Sequence, residues 1–356
     1  MLESAIAADP ADARAPLFLG HLLYDHRRHA EAIRHWEASA KSEPDNPVVW
    51  RCLGIAYFNI SHKPAAARRA FARARAAAPD NARLLFESDQ LAKRMGESPA
   101  RRLRELLRNR DLVRQRDDLS IELCALFNQT GQPAKALELL AQRRFQPWEG
   151  GEGQVLGQYV RSCLLLARQS LAESDFSGAV AHLEAALEPP PNLGEARHLL
   201  ANQSDIHFWL GEAHAANGHK QAARTAWKRA AEFRGDFQQM SVCPFSEMTY
   251  FSAMALRRLG KAAASDRLFR DLLAYAEGLE KATAKIDYFA TSLPTMLLFD
   301  DDIQARQITT ARFLKAQALL GLGKLREARA LLEDVLARDP NHALAADFLS
   351  LTESAR

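Results

Sequence analysis

The stretch Gly20–Pro44, GHLLYDHRRHAEAIRHWEASAKSEP, decides the fold. Its small residue Gly20 is followed after twelve positions by Ala32, after four more by Trp36 and after eight more by Pro44. The order returns as Gly54, Ala67, Phe71 and Pro79, with one extra residue in the middle. It returns without change at the far end as AQALLGLGKLREARALLEDVLARDP, where Ala316, Ala328, Leu332 and Pro340 hold the same offsets. A period near 34 residues with small, bulky and proline positions marks a helical solenoid.

Each period reads as two antiparallel helices, A then B. The small residue of A (Gly20, Gly54, Gly211) and the alanine of B (Ala32, Ala67, Ala136, Ala179, Ala223, Ala328) read as reciprocal surfaces where the two helices cross, since larger side chains there would overpack the contact. The bulky residue (Trp36, Phe71, Leu140, Leu183, Trp227, Phe269, Leu332) is expected to fill the hole between repeats. The proline ends helix B, because it disfavours the helical conformation of the residue before it.

This pattern resembles the tetratricopeptide repeat over nearly the whole chain. Repeat one spans roughly 13–46, repeat two 47–81, and repeat three is degenerate, with Asp89 at the small position. In repeat seven Ser265 replaces the alanine. The resemblance implies an all-α, right-handed superhelical solenoid of antiparallel helix pairs. About eight repeats are expected, with a leading half repeat and a C-terminal capping helix at 341–354. Leu2, Ala5 and Pro10 fit a helix B without its helix A, so the sequence reads as a fragment of a longer protein, or as one whose first face something else covers.

The composition agrees. Of 356 residues 47% are hydrophobic, and Ala, Leu, Arg and Glu, all good helix formers, dominate. No run of about 18 apolar residues is present, which excludes a membrane-spanning helix. Cys52, Cys124, Cys163 and Cys243 are far apart, which points to reduced thiols and a cytoplasmic location. The net charge of +3 is unevenly placed: from 63 to 116 there are 15 Lys/Arg against 6 Asp/Glu. Most arginines of this block lie on expected B helices and read as a solvated outer surface. Nucleic-acid binding there is disfavoured, because stacking aromatics are sparse.

The period stretches after Pro147. Successive bulky positions from Leu140 onward lie 43, 44, 42 and 63 residues apart. The extra residues fall at 148–155, 192–203, 236–245 and 277–307, always after a helix B and before the next helix A. The chain is therefore read as regular repeats over 1–147 and as repeats with junction insertions over 148–356. Insertions on one edge of a repeat scaffold are expected to gather into one ligand-binding site. Its candidate residues are Trp148, Glu149, Glu152, Tyr159, Asn192, Glu195, Asp205, His207, Glu247, Tyr250, Lys285, Asp287 and Tyr288. Aromatic planes beside carboxylates and amides suit a sugar or a peptide. They equally suit a buried, paired polar network. Asp300, Asp301 and Asp302 read as a solvated helix start.

A narrower resemblance rests on FQPWEGGEGQVLGQYV, PPNLGEARHLLANQSDIHFWLGEA, PFSEMTYFSA and KIDYFATSLPTMLLFDDD. These strings are similar to the helical C-terminal part of large bacterial proteins in which a β-rich, mutarotase-like portion precedes the repeats. This resemblance implies a carbohydrate context and assigns no reaction. No metal, nucleotide or nucleophile motif is present, and no cofactor is expected. The leading expectation is a non-enzymatic scaffold for a protein or peptide partner. Its concave helix A groove is read as His21, Tyr24, Arg51, Asn59, Gln90 and Asn128. The alternatives are an accessory carbohydrate module and, third, nucleic-acid binding through the block at 63–116.

Overall fold

The computed structural model describes residues 1–148, 150–238, 241–285 and 298–354. A short helix α1 (Leu2–Ala8) leads into α2 (Arg14–Asp25) and α3 (His29–Ser42), the first full pair. The pair α4 (Pro47–Asn59) and α5 (Pro64–Ala77) follows, then α6 (Ala82–Arg94) and α7 (Pro99–Arg108), with a single turn α8 (Arg110–Val113) after it. The fourth and fifth pairs are α9 (Asp117–Gln129) with α10 (Pro133–Ala141) and α11 (Gln154–Ala172) with α12 (Phe176–Leu187). The sixth is α13 (Ser204–Ala216) with α14 (Lys220–Glu232), and the seventh α15 (Thr249–Arg258) with α16 (Ala262–Lys281). The eighth is α17 (Ile303–Gly321) with α18 (Leu325–Arg338), and α19 (Ala343–Ser354) closes the chain. The fold class is the expected all-α solenoid of helix pairs.

Local chemistry explains the punctuation. Pro47, Pro64 and Pro133 stand in the first turn, where the missing N–H costs no hydrogen bond. Asn46 caps α4 by accepting from the Val48 amide, and Asn81 caps α6 by accepting from Arg83 and Leu84. Helices α3, α5 and α18 each stop shortly before Pro44, Pro79 and Pro340.

The crossing within a pair differs in detail from the sequence reading. The glycine of helix A meets the bulky residue of B. A methyl group on Gly20 would lie 2.4 Å from the Trp36 indole, and one on Gly54 2.6 Å from the Phe71 ring. At Gly211 the corresponding ring is Trp227, at 2.3 Å. The bulky residue thus fills the space above its own glycine as well as the boundary between repeats. The Trp36 indole N–H then reaches the Leu17 carbonyl at 3.2 Å, so its one polar atom is paired.

The insertions are heterogeneous. Helices α11, α16 and α17, at 19, 20 and 19 residues, absorb part of the added length. The third insertion forms an unanticipated antiparallel hairpin, β1 (Asp236–Gln238) paired with β2 (Ser241–Cys243).

Two compact units are present. The described residues of unit 1 are 1–97, 105–116 and 298–301, and those of unit 2 are 98–104, 117–285 and 302–354. In unit 2 α19 packs on α18, as an end cover should, and Phe348 meets Tyr250 and Phe313 edge-on at 4.9 and 5.6 Å. Its Asp347 accepts from Arg161 of α11 at 3.0 Å. Arg102 corrects one expectation. It is 2% exposed rather than solvated, because its guanidinium bonds Glu122 at 2.7 Å and Asn341 at 2.8 Å. No described helix is long and apolar enough to cross a membrane.

Gly54→Ala is expected to lower unfolding free energy by about 1–3 kcal/mol, because Phe71 has no room to retreat. Gly157→Ala on the exposed side of α11, where a methyl meets nothing, is expected to raise it by about 0.5–1 kcal/mol. Urea denaturation of the two variants measures both signs.

Candidate functional site

Unit 1 carries five of the six expected groove residues, on its A helices α2, α4 and α6. His21 sits with its Nδ1 4.0 Å from the Cys52 sulfur and its ring edge against Trp36. Arg51 is committed to its neighbour helix: its guanidinium makes bonds of 2.6 and 2.7 Å to both oxygens of Glu87. Gln90 has a buried Nε2 without a hydrogen-bond partner among the described residues.

Asn59, the last residue of α4, meets a distant piece of the chain. Its Nδ2 donates to the Leu298 carbonyl at 3.1 Å, and its Oδ1 accepts the Asp300 amide N–H at 3.0 Å. One carboxamide therefore grips the main chain on both sides of Phe299. The Phe299 side chain, 1% exposed, enters a pocket of Phe58, Phe71, Ala67 and Leu91, with ring centroids 5.2 Å from Phe58 and 5.7 Å from Phe71. Arg94, at the end of α6, donates to the Asp300 carbonyl and pairs with the Asp301 carboxylate, both at 3.4 Å. Tyr24 interacts with the same Asn59, and burial followed by the nearby Asp300 charge pushes its phenol pKa up. Tyr24 and Asn59 were legible from helix A spacing. Leu298, Phe299 and Asp300 were not, although an aromatic residue directly before three aspartates was the available signal. Only Asp302 of that run behaves as the expected helix start, accepting from the Ala305 amide at 2.9 Å.

The sixth expected groove residue, Asn128, lies in unit 2 and is turned inward. It donates to Gln158 at 3.0 Å and accepts from Ser162 at 3.0 Å, joining α9 to α11.

The junction insertions of unit 2 do touch one another. Glu195, from the second, accepts the amides of Gly153 at 2.7 Å and Leu156 at 2.6 Å and so caps the start of α11. Asn192 donates to the Leu140 and Arg143 carbonyls at 2.8 Å each. Asn202 donates through its side chain to Gly235 at 2.8 Å, and through its amide to Asp236 at 2.9 Å. The His198 ring stacks on Phe237 with centroids 3.8 Å apart. These contacts spend Asn192 and Glu195 on backbone groups, so they hold loops rather than offer polar atoms to a ligand.

Several other junction candidates are also buried in packing. Tyr159 is 8% exposed and donates to the Ala185 carbonyl, and burial raises its pKa to about 12. Tyr250 is ringed by Phe251, Phe269 and Phe348, with its pKa likewise pushed to about 12 by burial. Trp148 lies over Gly151, where a methyl would come within 2.0 Å of the indole, while Glu152 and Lys285 are exposed. Gln317 donates to the backbone carbonyl of Glu247 at 3.1 Å. Glu149, Asp287 and Tyr288 lie outside the described residues.

Asp205 and His207 open α13. Burial lifts the Asp205 carboxyl to about 6, against the Ile206 amide and Arg197, which favour its charged form; Asp236 adds to the rise. Burial, then Arg229 and Arg197, depress His207 to about 4. No group of three His, Cys, Asp or Glu among the described residues could hold a metal ion.

Within the basic block, Arg68 pairs with Glu97, Arg75 with Glu105 and Arg83 with Glu87, and Arg73 lies over the Trp50 ring. These four arginines therefore have partners within the protein.

Residues 309–342, most of α17 and all of α18, match the tetratricopeptide repeat. The chain is thus a helical-repeat protein that contains a tetratricopeptide repeat in its eighth pair. Solved structures with a similar arrangement include Naa15/Naa10 bound to HypK-THB, at 13% identity and a TM-score of 0.46, over 95% of this chain and 55% of that one. A tetratricopeptide repeat protein from Parabacteroides merdae ATCC 43184 is similar at 12% identity and a TM-score of 0.40, over 96% of this chain and 98% of that one. The Cut9–Hcn1 hetero-tetramer of APC/C is similar at 14% identity and a TM-score of 0.35, over 98% of this chain and 57% of that one. The chain therefore spans little more than half the length of two of these.

The Asp205 pKa carries a stability consequence. A folded value of about 6, above the ordinary 3.8, favours folding fully below 3.8, and that contribution is lost as pH rises through about 6. The loss is on the order of 2–3 kcal/mol. Asp205→Asn is expected to remove it, so that the stability gap between wild type and variant changes between about pH 4 and about pH 7. Urea midpoints at the two pH values test this; a constant gap rules it out.

Proposed function

We propose that the chain is a non-enzymatic binding scaffold that holds an extended peptide of a protein partner on the helix A side of unit 1. The observation that carries this reading is the Asn59 carboxamide, which takes both a carbonyl and an amide from one short main-chain stretch, Leu298–Asp300. A side chain that reads main chain in this way accepts an extended peptide without regard to most of its sequence. The neighbouring pocket and Arg94 then supply preference. Tyr24 beside Asn59 continues the polar line along the A helices.

The junction residues named for a sugar pocket do not enter this reading. Asn192, Glu195, Tyr159 and Tyr250 are held in loop and core contacts, and the carbohydrate context rests on sequence resemblance alone.

A displayed random-peptide library selected against the full chain tests the proposal. Recovered peptides are expected to lose at least about tenfold in affinity for Asn59→Ala, the scale of one charge-neutral hydrogen-bonded contact. Circular-dichroism melting of the variant is expected to stay close to wild type. Peptides that bind equally to wild type and to Asn59→Ala place binding elsewhere and sink the groove reading.

A further inference from the structure

We infer that residues 298–301 are a built-in ligand of the unit 1 groove, and that partners bind there by displacing them with a segment of the same chemistry: an aromatic residue with a carboxylate two places on. The inference rests on the groove reading above and deepens it.

Three separate contacts define the chemistry. Asn59 holds the backbone on either side of position 299, where the chain bends, and so sets a register. The pocket of Phe58, Phe71, Ala67 and Leu91 buries a whole aromatic ring and offers it two edge-on ring contacts. Arg94 faces the acidic residue two places on. Aromatic burial and a cation near the following carboxylate together specify an aromatic–acidic peptide.

The contacts are also of an exchangeable kind. The segment meets α4 from 239 residues away in sequence, and its register hydrogen bonds come from a side chain. Helices α4, α5 and α6 keep their own backbone hydrogen bonds whether or not the segment is present. Asp300 is exposed, and Arg94 stands at 3.4 Å, longer than a tight charge-assisted bond. A tethered segment of this sort acts at an effective concentration of roughly millimolar, so it is outcompeted by a tighter or concentrated partner. While it is seated, the apparent affinity of any outside peptide falls in proportion to the occupied fraction.

The test uses the fluorescein-labelled hexapeptide Leu-Phe-Asp-Asp-Asp-Ile, the sequence of residues 298–303, with Leu-Ala-Asp-Asp-Asp-Ile and Leu-Phe-Asn-Asn-Asn-Ile as controls. Fluorescence anisotropy on the full chain is expected to give at least about tenfold tighter binding to Phe299→Ala than to wild type, since the vacated pocket is open. The Asn59→Ala/Phe299→Ala double variant and both control peptides are expected to lose that gain. Equal binding of the hexapeptide to wild type and to a folded Phe299→Ala overturns the inference.

Should Phe299→Ala not fold, amide hydrogen exchange on the wild type decides. The hexapeptide at about 1 mM is expected to speed exchange at the Asp300 amide while leaving α4 and α5 protected. Exchange at Asp300 that is as slow as in α4 and indifferent to the peptide makes Phe299 a permanent core residue. If library peptides bind through Asn59 but lack an aromatic–acidic core, the groove reading stands and this inference fails. If none depends on Asn59, both fail.

Discussion

The contact on which the structure depends is a ring pressed onto a glycine. Trp36 over Gly20, Phe71 over Gly54 and Trp227 over Gly211 leave no space for even one methyl group between helices A and B. Such close approach sets the distance within each of these three pairs. The candidate site grows from this contact. Phe71 touches Gly54 on one side and receives the Phe299 ring on the other, so a residue of the scaffold also forms the floor of the pocket.

The insertions obey a different constraint. Each interrupts the regular helix pairing and leaves backbone amides and carbonyls that need partners. Glu195 accepts two amides at the start of α11, Asn192 donates to two carbonyls, and Asn202 bonds the next junction. Polar residues dense in a loop are thus explained by the backbone they satisfy, without a ligand. Asn128 makes the same point within a helix pair, where its carboxamide links α9 to α11. Asn59 differs because the backbone it satisfies comes from a junction segment 239 residues away in sequence.

Charge follows the same economy. The excess of arginine between 63 and 116 reads in one dimension as a basic surface. In three dimensions Arg75, Arg83 and Arg102 of this block face Glu105, Glu87 and Glu122, and the first two of these three carboxylates belong to the block itself. Arg102 is almost wholly buried, and a carboxylate and the Asn341 amide oxygen help to compensate its desolvation.

Sequence alone determined the helix pairs and their order, and the ends of the regular ones. Periodicity, prolines and small residues act locally or between neighbours in the chain, so Gly20, Trp36 and Pro44 could be read without coordinates. Two members of the candidate groove, Tyr24 and Asn59, were legible for the same reason, since their place on helix A follows from the repeat. Tertiary structure alone decided what those residues meet. Phe299 lies 241 residues from Phe58, and Asn59 grips main-chain atoms that have no signature in side-chain sequence. The inward turn of Asn128, Tyr159 and Tyr250 was equally hidden, because a polar or aromatic residue at a given helical position looks the same whether it faces a ligand or another helix.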